Sequence, residues 1–253
     1  MGNLHSGHLA LVQSARQQAD RVVVSIFVNP AQFGPTEDFA SYPRTEQQDQ
    51  DQLIDAGADL LFLPSAAEIY PNPIQTKVSV SELSKIHCGA SRPGHFDGVA
   101  LVVCKLLNMV QPDILLLGEK DFQQLTVIKA MINDLNIPVV VQGVPTVREA
   151  DGLAMSSRNS YLSTSERQIA PLIYRSLCTI KETILKGRTD FQAIADEQAL
   201  QQAGFSVDYI KVCRTLDLLP ATAADQELVV LIAAKLGKTR LIDNVHFTRP
   251  TLS

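Results

Sequence analysis

The sequence predicts an α/β protein: a doubly wound parallel sheet domain, then a smaller α+β domain with a short antiparallel sheet. Three observations predict it. Aliphatic and β-branched runs at 22–28, 60–63, 113–117 and 139–142 alternate with helix-like segments, the pattern of helices covering a parallel sheet. After residue 149 the order changes to two helices and then three strand-like segments at 206–213, 227–234 and 240–245. Hydrophobic residues make up 45% of 253, enough for the core of one large domain or two smaller ones.

The chain opens on Met1-Gly2-Asn3-Leu4-His5-Ser6-Gly7-His8, a tight turn feeding a helix whose apolar positions Leu9, Leu11, Val12 and Ala15 carry it to near residue 19. Ser6 is the expected N-cap, and Gly7 lets backbone come close to a ligand. His5 and His8 stand three apart, so both imidazoles can lie by the first turn. Unpaired N–H groups and the positive end of the helix dipole there suit phosphate, and an imidazole can donate to it or transfer a proton. A pair of surface histidines at a helix start would read the same way. A parallel sheet wants a strand before such a turn, so either the gene start is short or the sheet lacks its first strand.

The run 22–28 reads as a strand buried on both faces and is stopped by Asn29-Pro30. The loop 31–39 then lies at the strand's carboxyl end, where open parallel sheets hold ligands. Gln32 is therefore a candidate specificity amide, although a solvated loop glutamine fits equally. Tyr42-Pro43-Arg44-Thr45 leads into a helix over 45–56 with Thr45 as cap, and Pro64 closes the strand 60–63. Val78 and Val80 suggest a brief strand. The glycine-rich stretch 88–98 precedes an apolar helix over 99–110 and is compatible with a second anion-binding loop. His87, Cys88 and His95 raise zinc instead, at a spacing that matches no common site. The run 113–117 reads as another buried strand and leads into Gly118-Glu119-Lys120-Asp121-Phe122-Gln123-Gln124-Leu125 and a helix to near 135. Lys120 there suits a phosphate and Asp121 a ribose hydroxyl; a helix start with a solvated lysine is the alternative.

Past residue 149, Asp151-Gly152-Leu153-Ala154-Met155-Ser156-Ser157-Arg158-Asn159-Ser160 is a polar loop in which Arg158 can grip phosphate through its planar fork. Ser163-Thr164-Ser165-Glu166 is a capping box starting a helix to about 186, ended by Gly187. A second helix covers 190–203 and stops at Gly204. Leu236-Gly237-Lys238-Thr239 joins the last two strands.

A net charge of −5 and a pI near 5.5 argue against broad nucleic-acid or membrane-surface binding, and leave room for a small anionic ligand. The four cysteines form no Cys-x-x-Cys pair and are expected as buried free thiols in a reducing cytoplasm. No secretory signal is expected, and the apolar runs are too short to span a bilayer. Neither a Walker phosphate loop nor a G-x-G-x-x-G occurs.

His5-Ser6-Gly7-His8 with the later Met155-Ser156-Ser157-Arg158 resembles the HIGH-motif nucleotidyltransferase superfamily, where two such motifs embrace ATP phosphates. The resemblance narrows with the residues 1–8, Phe27-Val28-Asn29-Pro30-Ala31-Gln32-Phe33-Gly34, Tyr42-Pro43-Arg44-Thr45, Gly118 to Leu125, Asp151 to Asn159 and the closing Arg240-Leu241-Ile242-Asp243-Asn244. In that order and over nearly the whole chain they are similar to the pantoate–β-alanine ligases, or pantothenate synthetases. The resemblance implies condensation of pantoate with β-alanine through pantoyl adenylate, releasing AMP and pyrophosphate, on the route to coenzyme A. It implies ATP as substrate with Mg2+ carried on its phosphates, no metal held by the protein, a homodimer in the cytoplasm, and neither nucleic acid nor membrane as partner. It also implies a Rossmann-like nucleotide-binding domain over 1–148, first strand missing, and an α+β lid over 149–253.

By position, Met1, Gly2, Asn3, Leu4, His5, Ser6, Gly7 and His8 would line the ATP site, with His8 in the proton-donor place and His5 beside it on the phosphates. Gly118, Glu119, Lys120 and Asp121 would hold ribose and phosphate, with Lys120 on the α-phosphate, and Val147 would offer its backbone to adenine. Met155, Ser156, Ser157 and Arg158 would close on the β- and γ-phosphates. Gln32 and Gln124 would bind pantoate, and Gln32 also β-alanine. Gln48 departs from the acid usual in the family, beside a retained Asp49. Alternatives are another HIGH-motif adenylyltransferase, which would want an extra cation for its acceptor phosphate, a synthetase-like RNA-binding module, and a non-catalytic ATP-binding remnant.

Overall fold

Helices and short strands alternate along the first half of the chain in the computed structural model, which describes residues 1–35 and 37–250. Thr36, within the loop expected at 31–39, and residues 251–253, the end of the expected second domain, lie outside the described residues. One unit comprises Met1–Glu119 and Gln123–Val147; the other comprises Lys120–Phe122 and Arg148–Ser253.

The first unit runs α1 (Ser6–Arg16), β1 (Val23–Ser25), α2 (Glu46–Asp55), β2 (Leu60–Phe62), α3 (Ala66–Ile69), α4 (Cys88–Ser91), α5 (His95–Val110), β3 (Ile114–Gly118), α6 (Phe122–Asp134, its first residue in the other unit) and β4 (Val140–Val144). β1 pairs with β2 and β3 with β4, both parallel, as two separate two-stranded sheets. Each strand thus has one bonded neighbour, which corrects the reading of 22–28 and 113–117 as fully buried. Val23 is 40% exposed, and β3 is half-buried throughout. The pleat still sorts β3 correctly. Leu116 packs against Val12, Ala15, Ile26 and Leu53, whereas Leu115 and Leu117 pack against Val99, Leu107, Ile128 and Met131 of α5 and α6.

No strand forms at 78–80; Val78 and Val80 instead pack onto the α5–α6 cluster, and the Val80 carbonyl accepts from the Ser84 N–H at 2.9 Å. The expected loop over 88–98 is largely helical: α4 occupies Cys88–Ser91, and α5 starts at His95 after Gly94, whose φ of 82° suits glycine.

The second unit contains α7 (Thr164–Ile169), α8 (Leu172–Leu185), α9 (Ile194–Gln202), β5 (Phe205–Arg214), β6 (Glu227–Leu236) and β7 (Thr239–Thr248). Ser163 and Glu166 form the expected capping box. The single helix expected to follow is broken, because Pro171 has no N–H to continue the ladder and instead stands at the start of α8. The strands form an antiparallel sheet in the order β5-β6-β7. Each is ten residues long, more than the sequence runs suggested, because alternation of inward and outward residues continues past the purely apolar stretches. A bulge at Asp208 lets its carboxylate reach Arg240 at 2.7 Å. Gly237, with φ of 57°, takes the first corner of the tight β6–β7 turn. α8 buries Ile173, Leu177, Ile180 and Ile184 against the sheet.

None of the four cysteines is in a disulfide among the described residues, but only Cys88 and Cys213 are buried; Cys104 and Cys178 are half-buried, which corrects the expectation that all four are enclosed. Among the described residues no helix is long and apolar enough to cross a membrane.

Leu177→Ala, at the centre of α8's buried face, is expected to lower the unfolding free energy by about 2–5 kcal/mol. Leu185→Ala, on the same helix but 39% exposed, is expected to cost under about 1 kcal/mol. Denaturant melts of the two proteins compare them directly.

Candidate active site

The opening turn is set by a carboxylate from another element. Gly2 (φ 89°) and Asn3 (φ 53°) are left-handed, and the chain doubles back to present the N–H groups of Asn3 and Leu4 to Asp49 at 2.9 and 2.8 Å. Asp49 is buried on α2 and also accepts from the Thr45 hydroxyl at 3.0 Å. Thr45 therefore stands at the cap position of α2 without capping it, a correction to the sequence reading. A Cβ at Gly2 would lie 3.2 Å from the Asp49 carboxylate in a conformation that side chains rarely adopt. Gln48 faces solvent, so its departure from the family's acid leaves this anchor untouched.

His5, not Ser6, caps α1. His5 has the extended backbone an N-cap requires (φ −140°, ψ 173°), while Ser6 is already helical. The Gly7 N–H donates to His5 Nδ1 at 3.1 Å, and the His5 N–H donates to His8 Nδ1 at 3.3 Å. The rings lie 4.0 Å apart. A nitrogen that accepts from an N–H holds a lone pair, so each neutral imidazole carries its proton on Nε2. The helix end fixes the tautomer of both rings.

Gln32 sits in the turn Pro30–Gln32, after β1. The buried Asn29 donates from Nδ2 to Gln32 Oε1 and to the Gly98 carbonyl, each at 3.1 Å, while its Oδ1 accepts from Tyr70 at 2.8 Å. Burial pushes the Tyr70 phenol up, keeping it the donor. With its oxygen occupied, Gln32 turns its NH2 outward, toward Met1 Sδ at 3.1 Å. A second brace holds the backbone: His95 Nδ1 donates to the Gln32 carbonyl at 2.9 Å, Arg92 donates to His95 Nε2 at 2.9 Å, and both arms of Arg92 grip Glu37 at 2.6 Å. A Cβ on Gly98 would fall 2.2 Å from the Ala31 carbonyl, so this loop rests directly on α5. His95 is thus committed to the brace rather than to zinc. No group of three metal-binding side chains occurs among the described residues.

Adjacent glutamines on α6 divide sharply. Gln123 spends its amide on the 83–88 loop, accepting from Cys88 N–H and donating to the Leu83 and Ile86 carbonyls. The Gln124 side chain is half-buried and makes no hydrogen bond among the described residues, which leaves its amide for a ligand. Gly118 ends β3, and the Glu119 side chain occupies the room left by Gly143, where a Cβ would come within 2.7 Å of it. Val147 is half-buried at the end of this unit.

In the second unit, Arg148 organises a hairpin. It forks Asp243 at 2.6 and 3.0 Å, donates to the Gly152 and Asn244 carbonyls, and lies 3.7 Å over the Tyr174 ring. Burial raises the Asp243 carboxyl, and the Arg148 bonds and charge oppose that rise. Arg167 of α7 ties the same hairpin down through Glu149 (2.6 Å) and Asp151 (2.5 Å). The hairpin delivers Met155 and Ser156. Ser156 Oγ accepts from the Arg158 N–H at 3.2 Å and caps the turn Ser157–Tyr161. That turn packs beside β7. Lys120 borders β7 as well: Asn244 Nδ2 donates to its carbonyl at 2.9 Å, and its Nζ lies 3.7 Å from Asp121.

Within the first unit, then, Met1 to His8 and Gln32 form one cluster, while Gln124 stands on α6. Within the second, Lys120 and the Ser156–Arg158 turn share β7 as neighbour. Sequence reasoning gave no positioning role to Asp49, Asn29, Tyr70, Arg92, Arg148 or Asn244, which hold site residues or their supports in place. The signals available were the polar pair Asp243-Asn244 between Leu241-Ile242 and Val245, and Asp49 one helical turn beyond Thr45.

Residues 1–246 match the family model described as pantoate-beta-alanine ligase. Pantothenate synthetase from Pseudomonas fluorescens (strain Pf0-1) is 57% identical over 255 residues, covering 99% of this chain and 89% of the relative. That of Pseudomonas aeruginosa (strain UCBPP-PA14) is 56% identical over 249 residues, covering 97% and 88%. A crystal structure of the pantothenate synthetase from Thermus thermophilus superposes with a TM-score of 0.93 at 46% identity, over 97% of this chain and 90% of that one. A pantoate-beta-alanine ligase from Francisella tularensis, complexed with beta-gamma ATP and beta-alanine, gives 0.82 at 36% identity over 97% and 86%.

Replacing the cap tests the tautomer argument. His5→Ala is expected to destabilise by about 1 kcal/mol and His5→Asn, a good cap, by only a few tenths. Imidazole 15N spectra of the unchanged protein are expected to show both Nδ1 atoms unprotonated. The loop brace has an acid limit. Burial raises Glu37, yet the Arg92 bonds and charge outweigh it and hold the carboxyl below its ordinary 4.5. A depressed folded value stabilises above the unfolded pKa and is lost as pH falls through the folded one. Protection of the Gln32 loop in hydrogen exchange is therefore expected to persist at pH 4.5 and to fail in more acid solution, with that acid step absent from Glu37→Gln.

Proposed function

The chain belongs to the pantoate–β-alanine ligase family and is an ATP-dependent ligase joining pantoate to β-alanine; we propose the route and the division of labour that follow. Pantoate's carboxylate oxygen attacks the α-phosphorus of ATP, the bond to the bridging oxygen breaks, and pyrophosphate leaves. The unprotonated amine of β-alanine then attacks the acyl carbon of pantoyl adenylate, AMP leaves with the electron pair of the broken C–O bond, and the surplus proton on nitrogen passes to solvent. No covalent bond to the protein is needed, so the protein's work is alignment and stabilisation of phosphate charge.

The single observation that carries this reading is the double histidine cap of α1, which presents two imidazoles as neutral Nε2–H donors at a helix N-terminus. In this reading Met1 to His8 line the ATP site, with His8, in the family's proton-donor place, giving phosphate a hydrogen bond from Nε2–H and His5 its companion there. Gly118, Glu119 and Asp121 hold ribose and phosphate, Lys120 meets the α-phosphate, and the Val147 backbone receives adenine. Met155, Ser156, Ser157 and Arg158 take the β- and γ-phosphates. The outward NH2 of Gln32 and the uncommitted amide of Gln124 bind pantoate, and Gln32 also serves β-alanine. Amides matched to pantoate's hydroxyls would discriminate strongly against analogues lacking them. Residues 1–148 act as the nucleotide-binding domain and 149–253 as the lid. Mg2+ arrives on the ATP phosphates, and the enzyme works as a cytoplasmic homodimer.

AMP release from Mg-ATP is the test. Turnover is expected only with pantoate and β-alanine both present, and His8→Ala is expected to lower kcat about 100- to 1,000-fold. AMP formation that ignores β-alanine over many turnovers, or a fully active His8→Ala protein, would contradict the assignment.

A further inference from the structure

Lys120 owes its position to a strand that follows it by more than a hundred residues. The segment Lys120–Phe122 is grouped with the second unit although its sequence neighbours on both sides belong to the first. One face of β7 grips it at two points. Asn244 Nδ2 donates to the Lys120 carbonyl at 2.9 Å, and His246 lies against the Phe122 ring at 5.6 Å. Asn244 and His246 are two apart on the strand and so project to the same side.

Asn244 is itself held. It is 4% exposed, its N–H donates to Asp243 Oδ1 at 2.8 Å, and its carbonyl accepts from Arg148 at 3.2 Å. Arg148 meanwhile forks Asp243 and lies on Tyr174. Every link in Tyr174–Arg148–Asp243–Asn244–Lys120 is thus a direct contact within one unit. A lysine side chain has four rotatable bonds, so its ammonium is only as well placed as the backbone it hangs from. Fixing the carbonyl fixes that origin.

We infer that Asn244, steadied by the Arg148–Asp243 fork, is a positioning residue for the reaction, acting through the Lys120 backbone to aim the Lys120 ammonium at the α-phosphate. The inference rests on the proposed role of Lys120. Asn244 touches no reacting atom. It supplies a neutral donor, which anchors the lysine without competing for its charge as a carboxylate would.

Asn244→Ala, Lys120→Ala and the double variant are compared by single-turnover formation of radiolabelled pantoyl adenylate and AMP, below the melting midpoint of the weakest protein. Asn244→Ala is expected to slow adenylate formation roughly 10- to 100-fold with the KM for β-alanine changed less than about threefold. In the Lys120→Ala background the same change is expected to cost less than about twofold, because partners acting as one unit do not add. A second reading uses the two diastereomers of ATP bearing sulfur on the α-phosphate. Asn244→Ala is expected to shift their rate ratio in the direction taken by Lys120→Arg, which a general loss of stability would not do. Losses that multiply in the double variant, or a diastereomer ratio unmoved in Asn244→Ala but moved in Lys120→Arg, would overturn the positioning role and leave Lys120 its own. Full activity in Lys120→Ala would instead remove the α-phosphate assignment on which the inference stands.

Discussion

Backbone polar groups that no regular element can pair decide where this protein's chemistry-bearing side chains go. A buried or half-buried N–H must find an acceptor, and a helix end leaves several without one. At the start of α1 the donors of Asn3 and Leu4 are taken by Asp49, and those of His5 and Gly7 by the two imidazoles. The histidines are therefore oriented by the same requirement that terminates the helix. The same economy recurs where Ser156 receives the Arg158 N–H, and where Asn29 serves Gly98, Gln32 and Tyr70 at once. Each of these side chains satisfies the backbone and thereby aims a neighbour.

Charged groups play the supporting part. The Arg92–Glu37 and Arg148–Asp243 forks are bidentate, a geometry lysine cannot supply. Both arginines reach a second target beyond the carboxylate, His95 in one case and the Gly152 and Asn244 carbonyls in the other. A fork that also touches a third group fixes a small patch of structure, whereas an isolated surface pair contributes little.

Much of the fold was legible because periodicity and end signals are local. The alternation of short aliphatic runs with helices marked the parallel pairs, and Ser163 with Glu166 marked the start of α7. Where reading failed, the deciding partner lay far along the chain or the residue type was unusual for its job. Histidine is not a customary N-cap, so Ser6 looked the better choice until His8 closed the box. Pro171 was a legible break, yet the apolar periodicity on either side is nearly in phase and concealed it. The burial of the parallel strands depends on how many neighbours each one has, which no strand's own residues encode. At the candidate site the motif residues were visible, and their supports were not. Asp49 lies 45 residues from the Leu4 it holds, and Asn244 lies 124 from Lys120.

That last separation orders events during synthesis. The ribosome delivers Lys120 long before the β7 residues that grip its carbonyl exist. A nascent chain can complete the α5–α6 cluster and pair β3 with β4 while the lysine's own backbone is still waiting for its donor. Acquisition of a fixed lysine is thereby coupled to translation through β7, so chains released short of that strand lack the tether that orders this cation.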